Sequence, residues 1–236
     1  MLGRLKRKPW RWAAFGKHPV AADFLHIAPE DPVLAAFGTW VGSGFPGRDQ
    51  CAERYSWRFF APGASGELVC GLLVGSADRV GRPFPFSVIG TGPYKEWEKF
   101  WVLLPLALED VWRRLEYIPG RSFPAVDALK TELANLWMPA SQWRQWRTER
   151  NALNPGPSAA TPWEKDNGLA LYDLSTGSAE DRLACLLNTL EKIQGEWGKI
   201  PGAVFAGGGT ENQLAVLFRP LRKSDFSRLC QPDFPH

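Results

Sequence analysis

The chain has 236 residues, 44% hydrophobic and 22% charged, which is ordinary globular usage and excludes wholesale disorder. A chain this long buries roughly 70% of its unfolded surface, enough for a core that needs neither disulfides nor a metal, and it allows one large domain or two small ones. The net charge of +3 is too small to mark a nucleic-acid binder, whose domains concentrate their basic residues on one face.

Residues 1–12 (MLGRLKRKPWRW) read as a flexible basic arm, leaving 13–236 as one α/β domain. No apolar export core follows the arm, because Gly16, Lys17, His18 and Asp23 interrupt it. The longest apolar stretch, Trp101–Leu108, is broken by Pro105 and falls far short of the ~20 residues that span a membrane. A cytoplasmic protein without membrane insertion is expected, with its cysteines reduced. Asp31 is placed to cap a helix running to Val41, with Pro32 in its first turn.

Three strands follow. Tyr55–Ala61 alternates in hydropathy, Leu68–Val74 is apolar throughout as in a strand buried on both faces, and Phe84–Ile89 closes the set. A helical period runs from about Glu96 to Trp146, with a break predicted at Pro105 and a new start capped by Ser122. Residues 151–162 (NALNPGPSAATP) read as a mobile loop. Beyond it come a strand at Gly168–Leu174, a helix opened by Ser178-x-x-Asp181 and reaching Trp197, and a hairpin of Ala203–Ala206 with Leu214–Phe218. A helical turn at Asp225–Leu229 ends the pattern. Together these predict an α/β sandwich, three-layer-like, with a mixed, largely antiparallel sheet of about six strands flanked by helices.

Few residues are arranged for chemistry. The four cysteines form no Cys-x-x-Cys pair, and with the three histidines they offer no zinc-ligand spacing. Gly207-Gly208-Gly209 is followed by a strand rather than a helix, so it suits a turn better than a phosphate cradle. There is no Gly-x-Ser-x-Gly elbow, and neither His18 nor His26 has a nucleophile at fixed spacing. No catalytic residue, cofactor or metal is expected. The segment 137–150 interleaves Trp143 and Trp146 with Arg144, Arg147 and Arg150; it reads either as an amphipathic helix with its indoles inward or as a single-strand nucleic-acid contact.

The stretch Ser76–Phe86 (SADRVGRPFPF) is the most informative, because it holds Asp78 and Arg82 in one loop between strands, with Gly81 allowing a tight turn. Such a pair either fixes the loop or offers an interaction surface. With Asp78, Gly81, Arg82, Phe84 and Pro85 complete, with Phe15-Gly16-Lys17-His18-Pro19 and Ala22-Asp23-Phe24 upstream, and with Trp57-Arg58-Phe59 and Pro62-Gly63 between, the chain resembles the TagF (ImpM) family of type VI secretion-associated proteins. It departs from that family in having Ala22 where glycine is usual and Val204-Phe205 where a Trp-Trp pair is usual. The resemblance implies a compact α/β sandwich and a cytoplasmic, non-enzymatic, post-translational repressor. Such a protein acts by sequestering a scaffold protein with a forkhead-associated (FHA) domain. Lys17, Asp23, Asp78, Arg79 and Arg82, polar and gathered in two loops, are the expected partner-binding residues. Two alternatives stand beside this: a ligand-binding protein or enzyme using the Asp/Arg loops, and a nucleic-acid binder using the Trp/Arg segment.

Overall fold

Alternation and apolar runs become strands, and the computed structural model shows all of them in one sheet. The structure describes residues 9–47, 55–153, 158, 162, 164–174, 178–209 and 212–230. Its strands are β1 (Arg11–Gly16), β2 (Leu25–Ile27), β3 (Ser56–Pro62), β4 (Leu68–Val74), β5 (Phe86–Gly92), β6 (Glu164–Asp166), β7 (Leu169–Asp173), β8 (Ala203–Gly208) and β9 (Gln213–Leu217). They lie in the order β2-β1-β5-β4-β3-β8-β9-β7-β6. Every pairing is antiparallel, so the mixed sheet of about six strands becomes a nine-stranded antiparallel one.

Side chains alternate across this sheet and feed two cores. One face carries Phe60, Cys70, Leu72, Val88, Val204 and Val216. Over it pack a 3-10 turn at Trp97–Leu103 and the helices α2 (Leu104–Ala107), α3 (Glu109–Tyr117), α4 (Val126–Ala134), α5 (Trp143–Ala152) and α6 (Ala179–Trp197). The other face carries Trp57, Phe59, Leu73, Ile89, Phe205 and Leu217 and is covered by α1 (Pro32–Gly44) and α7 (Lys223–Cys230). Three layers result, as expected.

Local signals explain most boundaries. Asp31 Oδ1 accepts the N–H groups of Val33 and Leu34 at 2.9 and 3.1 Å, and Pro32 opens α1. Ser178 and Asp181 form a reciprocal capping box on α6. The helical run breaks around Pro105 into the 3-10 turn, α2 and α3. Indole N–H groups tie distant segments: Trp57 donates to the Leu229 carbonyl at 2.8 Å, fixing α7 to the sheet, and Trp40 of α1 donates to that of Arg222, just before α7, at 2.8 Å.

Four further expectations change. The basic segment 1–12 ends in strand, because Arg11 pairs with Asp31 at 2.8 Å and Glu67 at 2.7 Å while Trp12 is buried on β1; residues 1–8 lie outside the described residues. Ser122 does not cap α4, which starts at Val126 after Ala125; Pro124 holds Phe123 away from helical backbone, and Phe123 packs on His18. The third strand begins at Phe86, since Pro85 cannot donate to the ladder. Helix α5 runs on to Ala152, and most of the loop placed at 151–162 lies outside the described residues.

Candidate functional site

Two loops meet beyond the end of β1 and β5. The first, Lys17–Phe24, leaves β1; the second, Gly75–Pro85, links β4 to β5 and is pinched by a bridge between Ala77 and Pro83. Asp78 is their hub. Its side chain is fully buried, with Oδ1 accepting the N–H groups of Val80 and Arg82, both at 3.0 Å. Oδ2 accepts Arg82 Nε at 2.7 Å and faces Lys17 Nζ at 3.1 Å. The Asp78 carbonyl takes the Gly81 N–H at 2.9 Å, and Gly81 sits at φ +86°, where a side chain would be strained. The loops are also joined directly, by Arg79 N–H to the Ala21 carbonyl at 2.8 Å, Arg82 Nη2 to that of Ala22 at 2.6 Å, and Lys17 N–H to that of Pro85 at 3.1 Å.

Burial pushes the Asp78 carboxyl upward, but hydrogen bonds from the Arg82 amide, Lys17, the Arg82 guanidinium and the Val80 amide outweigh it. The group is held well below the usual carboxylate range and stays ionised. Beside it, His18 is fully buried, its Nδ1 accepting the Val20 N–H at 3.1 Å. That assigns the ring proton to Nε2, which donates to the Ile118 carbonyl at 3.2 Å. Burial lowers the His18 pKa, against the raising effect of Ile118.

The five residues singled out from sequence do come together, in two different environments. Lys17 and Asp78 are buried and brace the loops from inside. Asp23, Arg79 and Arg82 are exposed; Asp23 turns back to accept the Phe24 N–H at 2.8 Å. Two apolar side chains stand among them: Phe24, 56% exposed, and Val80, 70% exposed. Phe24 is fixed by edge contact with Phe84 at 4.6 Å and by the Lys17 ammonium 5.0 Å from its ring.

These loops lie within residues 13–136, the segment that matches the family of the TagF N-terminal domain, type VI secretion system-associated. The chain belongs to the TagF family. Among solved structures, the crystal structure of PA0076 from Pseudomonas aeruginosa PAO1 shares its fold, with a TM-score of 0.52 and 18% identity over 95% of this chain and 96% of that one. A comparison with curated proteins returns no match. As a TagF-family member the protein is associated with type VI secretion, and no helix among the described residues is long and apolar enough to cross a membrane.

Other motifs find structural places. Trp143 and Trp146 are buried, while Arg144 and Arg147 are exposed and Arg150 bonds Glu191 and Asn188. From Trp143 the segment is therefore an amphipathic helix with both its indoles turned inward, while Trp137 before it is exposed and carries the Arg114 guanidinium 4.1 Å from its ring. Gly207 and Gly208 end β8 in the expected hairpin. Val204 and Phe205 are both buried, on opposite faces of the sheet. Phe24 and Val80 were not singled out from sequence because apolar residues count first as core. The signal was their setting, Phe24 behind the loop residues Ala22-Asp23 and Val80 between Arg79 and Gly81.

Proposed function

We propose that this protein is a cytoplasmic, non-enzymatic, post-translational repressor of type VI secretion that sequesters the FHA-domain scaffold protein of the system. The observation that carries this reading is the surface made by the two family-matching loops, where Phe24 and Val80 stand exposed among Asp23, Arg79 and Arg82. Apolar side chains ringed by charged ones on a rigid support are the make-up of a protein-binding hot spot. The Asp78 hub supplies the rigidity, so Lys17 and Asp78 act by positioning the loops and Asp23, Arg79 and Arg82 by contact.

Calorimetric titration with the purified scaffold protein tests this. Joint replacement Phe24→Ser and Val80→Ser, with Arg79→Glu, is expected to weaken binding by about 30-fold or more, with an unchanged melting curve. Overproduction of the wild type, but not of this variant, should stop secretion while secretion-protein levels stay constant. Absence of any scaffold binding by the wild type, or undiminished binding by the variant, overturns the reading.

A further inference from the structure

Strand β1 joins two ends of the molecule. Its last residue, Gly16, leads into the loops of the candidate site; its first, Arg11, pairs with Thr91 near the far end of β5, about 20 Å away. At that far end lies a cleft of about 1370 Å³, larger than the ~300–1,000 Å³ of small-molecule sites and of a size for a stretch of polypeptide. Three indoles brace its walls by donating to backbone carbonyls: Trp10 to Pro93 at 3.1 Å, Trp97 to Gly66 at 2.9 Å and Trp143 to Lys95 at 2.7 Å. Two wall residues, Ser65 at φ +55° and Glu96 at φ +58°, hold left-handed backbone without being glycine, a cost that persists only where the surroundings enforce it. The cleft is thus preformed. Half-buried Trp10, Met138 and Pro139, with exposed Pro9 and Pro93, give it an apolar lining.

Charge selects the occupant. The carboxylates lining the cleft are answered within the protein, Glu67 by Arg11 at 2.7 Å and Glu96 by Lys95 at 3.9 Å. The cations at its rim are not. Arg144 in the lining, Arg147 one turn further along α5 and Lys99 on the 3-10 turn are exposed, and among the described residues none of them pairs with a carboxylate. Of the acids on the same two elements, Glu149 is engaged by Gln145 and Glu98 pairs with none of the three. Arg147 and Lys99 stand 5.2 and 5.3 Å from the centre of one ring, that of Phe100, which stacks in turn on Trp143 of the cleft. Two like charges gathered at one ring repel each other, and an anion set between them relieves that repulsion. Nucleic acid would need a longer basic track than these three cations. The exposed face of α5, with Arg144, Gln145, Arg147 and Thr148, has no apolar residue to enter a bilayer.

We propose that this cleft binds an acidic segment of a partner protein, with an apolar side chain seated among Trp10, Met138 and Pro139 and neighbouring carboxylates on Arg144, Arg147 and Lys99. The site stands at the opposite end of β1 from the loops that carry the scaffold reading and does not depend on it.

Fluorescence anisotropy of fluorescein-labelled peptides on the full chain tests this. The acidic, anchored peptide GEEDLFDEEG is expected to bind saturably, and the neutral GSSNLFNSSG at least about tenfold more weakly. Arg144→Glu with Arg147→Glu should weaken the acidic peptide at least about tenfold. Lys199→Glu with Lys223→Glu, an equal change of charge at exposed positions beyond α6 and on α7, should alter it by less than about threefold. Ala140→Trp, which crowds the lining from an exposed position, should erase the preference for GEEDLFDEEG over the unanchored GEEDGSDEEG. If the reversal variant melts early, Arg144→Gln with Arg147→Gln takes its place. The proposal is overturned if the acidic peptide binds no better than the neutral one, if the α5 variant binds it like the distant charge control, or if the anchor preference is absent or survives in Ala140→Trp. It is also overturned if an oligothymidylate or vesicles containing phosphatidylglycerol bind more tightly than the acidic peptide and lose that binding in the α5 variant.

Discussion

Gly16 and Gly81 both belong to the loops that build the candidate site, yet the same substitution by alanine should have very different costs at the two. Gly16 lies at φ +105°, and a Cβ built there falls 1.8 Å from the Pro85 carbonyl oxygen. An ordinary carbon–oxygen contact needs about 3.3 Å, so strand β1 and Pro85 must separate by about 1.5 Å. That separation pulls on the Lys17–Pro85 hydrogen bond at 3.1 Å. The strained backbone costs about 1–2 kcal/mol and the overpacking about 1–3 kcal/mol, together about 2–5 kcal/mol. At roughly 2–4 °C per kcal/mol for a chain of this size, Gly16→Ala should melt ~4–20 °C below the wild type. Gly81 lies at φ +86° with nothing within 4 Å of the added Cβ. Only the backbone cost of about 1–2 kcal/mol applies there, or ~2–8 °C. Thermal unfolding followed by circular dichroism reads both. If Gly81→Ala proves the more damaging, or Gly16→Ala melts with the wild type, the close approach of β1 to Pro85 is not the constraint described.

Asp78→Asn should lower the melting temperature at neutral pH by removing the ionised partner of buried Lys17. Because folding depresses the Asp78 pKa, the stability it contributes is complete above its unfolded value of about 4 and is lost as pH falls below that. The gap between wild type and variant should therefore narrow between about pH 4 and pH 2; a constant gap would show that the charge is not responsible. His18 also has a lowered pKa, so its contribution is complete above about pH 6.5 and declines on acidification. A His18→Leu variant should lose that part of the pH dependence of melting between pH 7.5 and 5.5. Trp57→Phe leaves the Leu229 carbonyl without its donor and should cost about 1–3 kcal/mol in urea unfolding; a change within error would mean that water replaces the indole. Val80→Ser, at a 70% exposed position, should alter stability by less than about 0.5 kcal/mol while weakening scaffold binding.

How far the sequence could be read depended on which residues carried the pattern. Leu68–Val74 is strand β4 to the residue, since a central strand buried on both faces has no polar position to blur its ends. Ser178-x-x-Asp181 marked the start of α6 because both halves of the capping box lie within one turn. Strands β2 and β6, three residues each, are too short for any period to show. Strand β1 was hidden by its basic approach: Arg11 looked like part of a solvated arm, while its partners Asp31 and Glu67 are 20 and 56 residues away. The site was legible as a pair of loops but not as an arrangement within them. Asp78 and Arg79 are adjacent and both charged, yet one is buried and the other exposed. Turn geometry around Gly81 decides that, and composition does not record it.

Strand β3 pairs on one side with β4, close by in sequence, and on the other with β8, where Trp57 stands opposite Gly207. The segment 13–136 that carries the family match therefore includes only one of the two neighbours of β3. A chain halted at residue 136 would present a seven-residue strand containing Trp57, Phe59 and Phe60 with one row of backbone donors and acceptors open, a template for pairing with other chains. During synthesis that row stays open until β8 has emerged, and the indole of Trp57 waits longer still for Leu229. A truncation at the family boundary would thus turn an interior strand into a sticky edge.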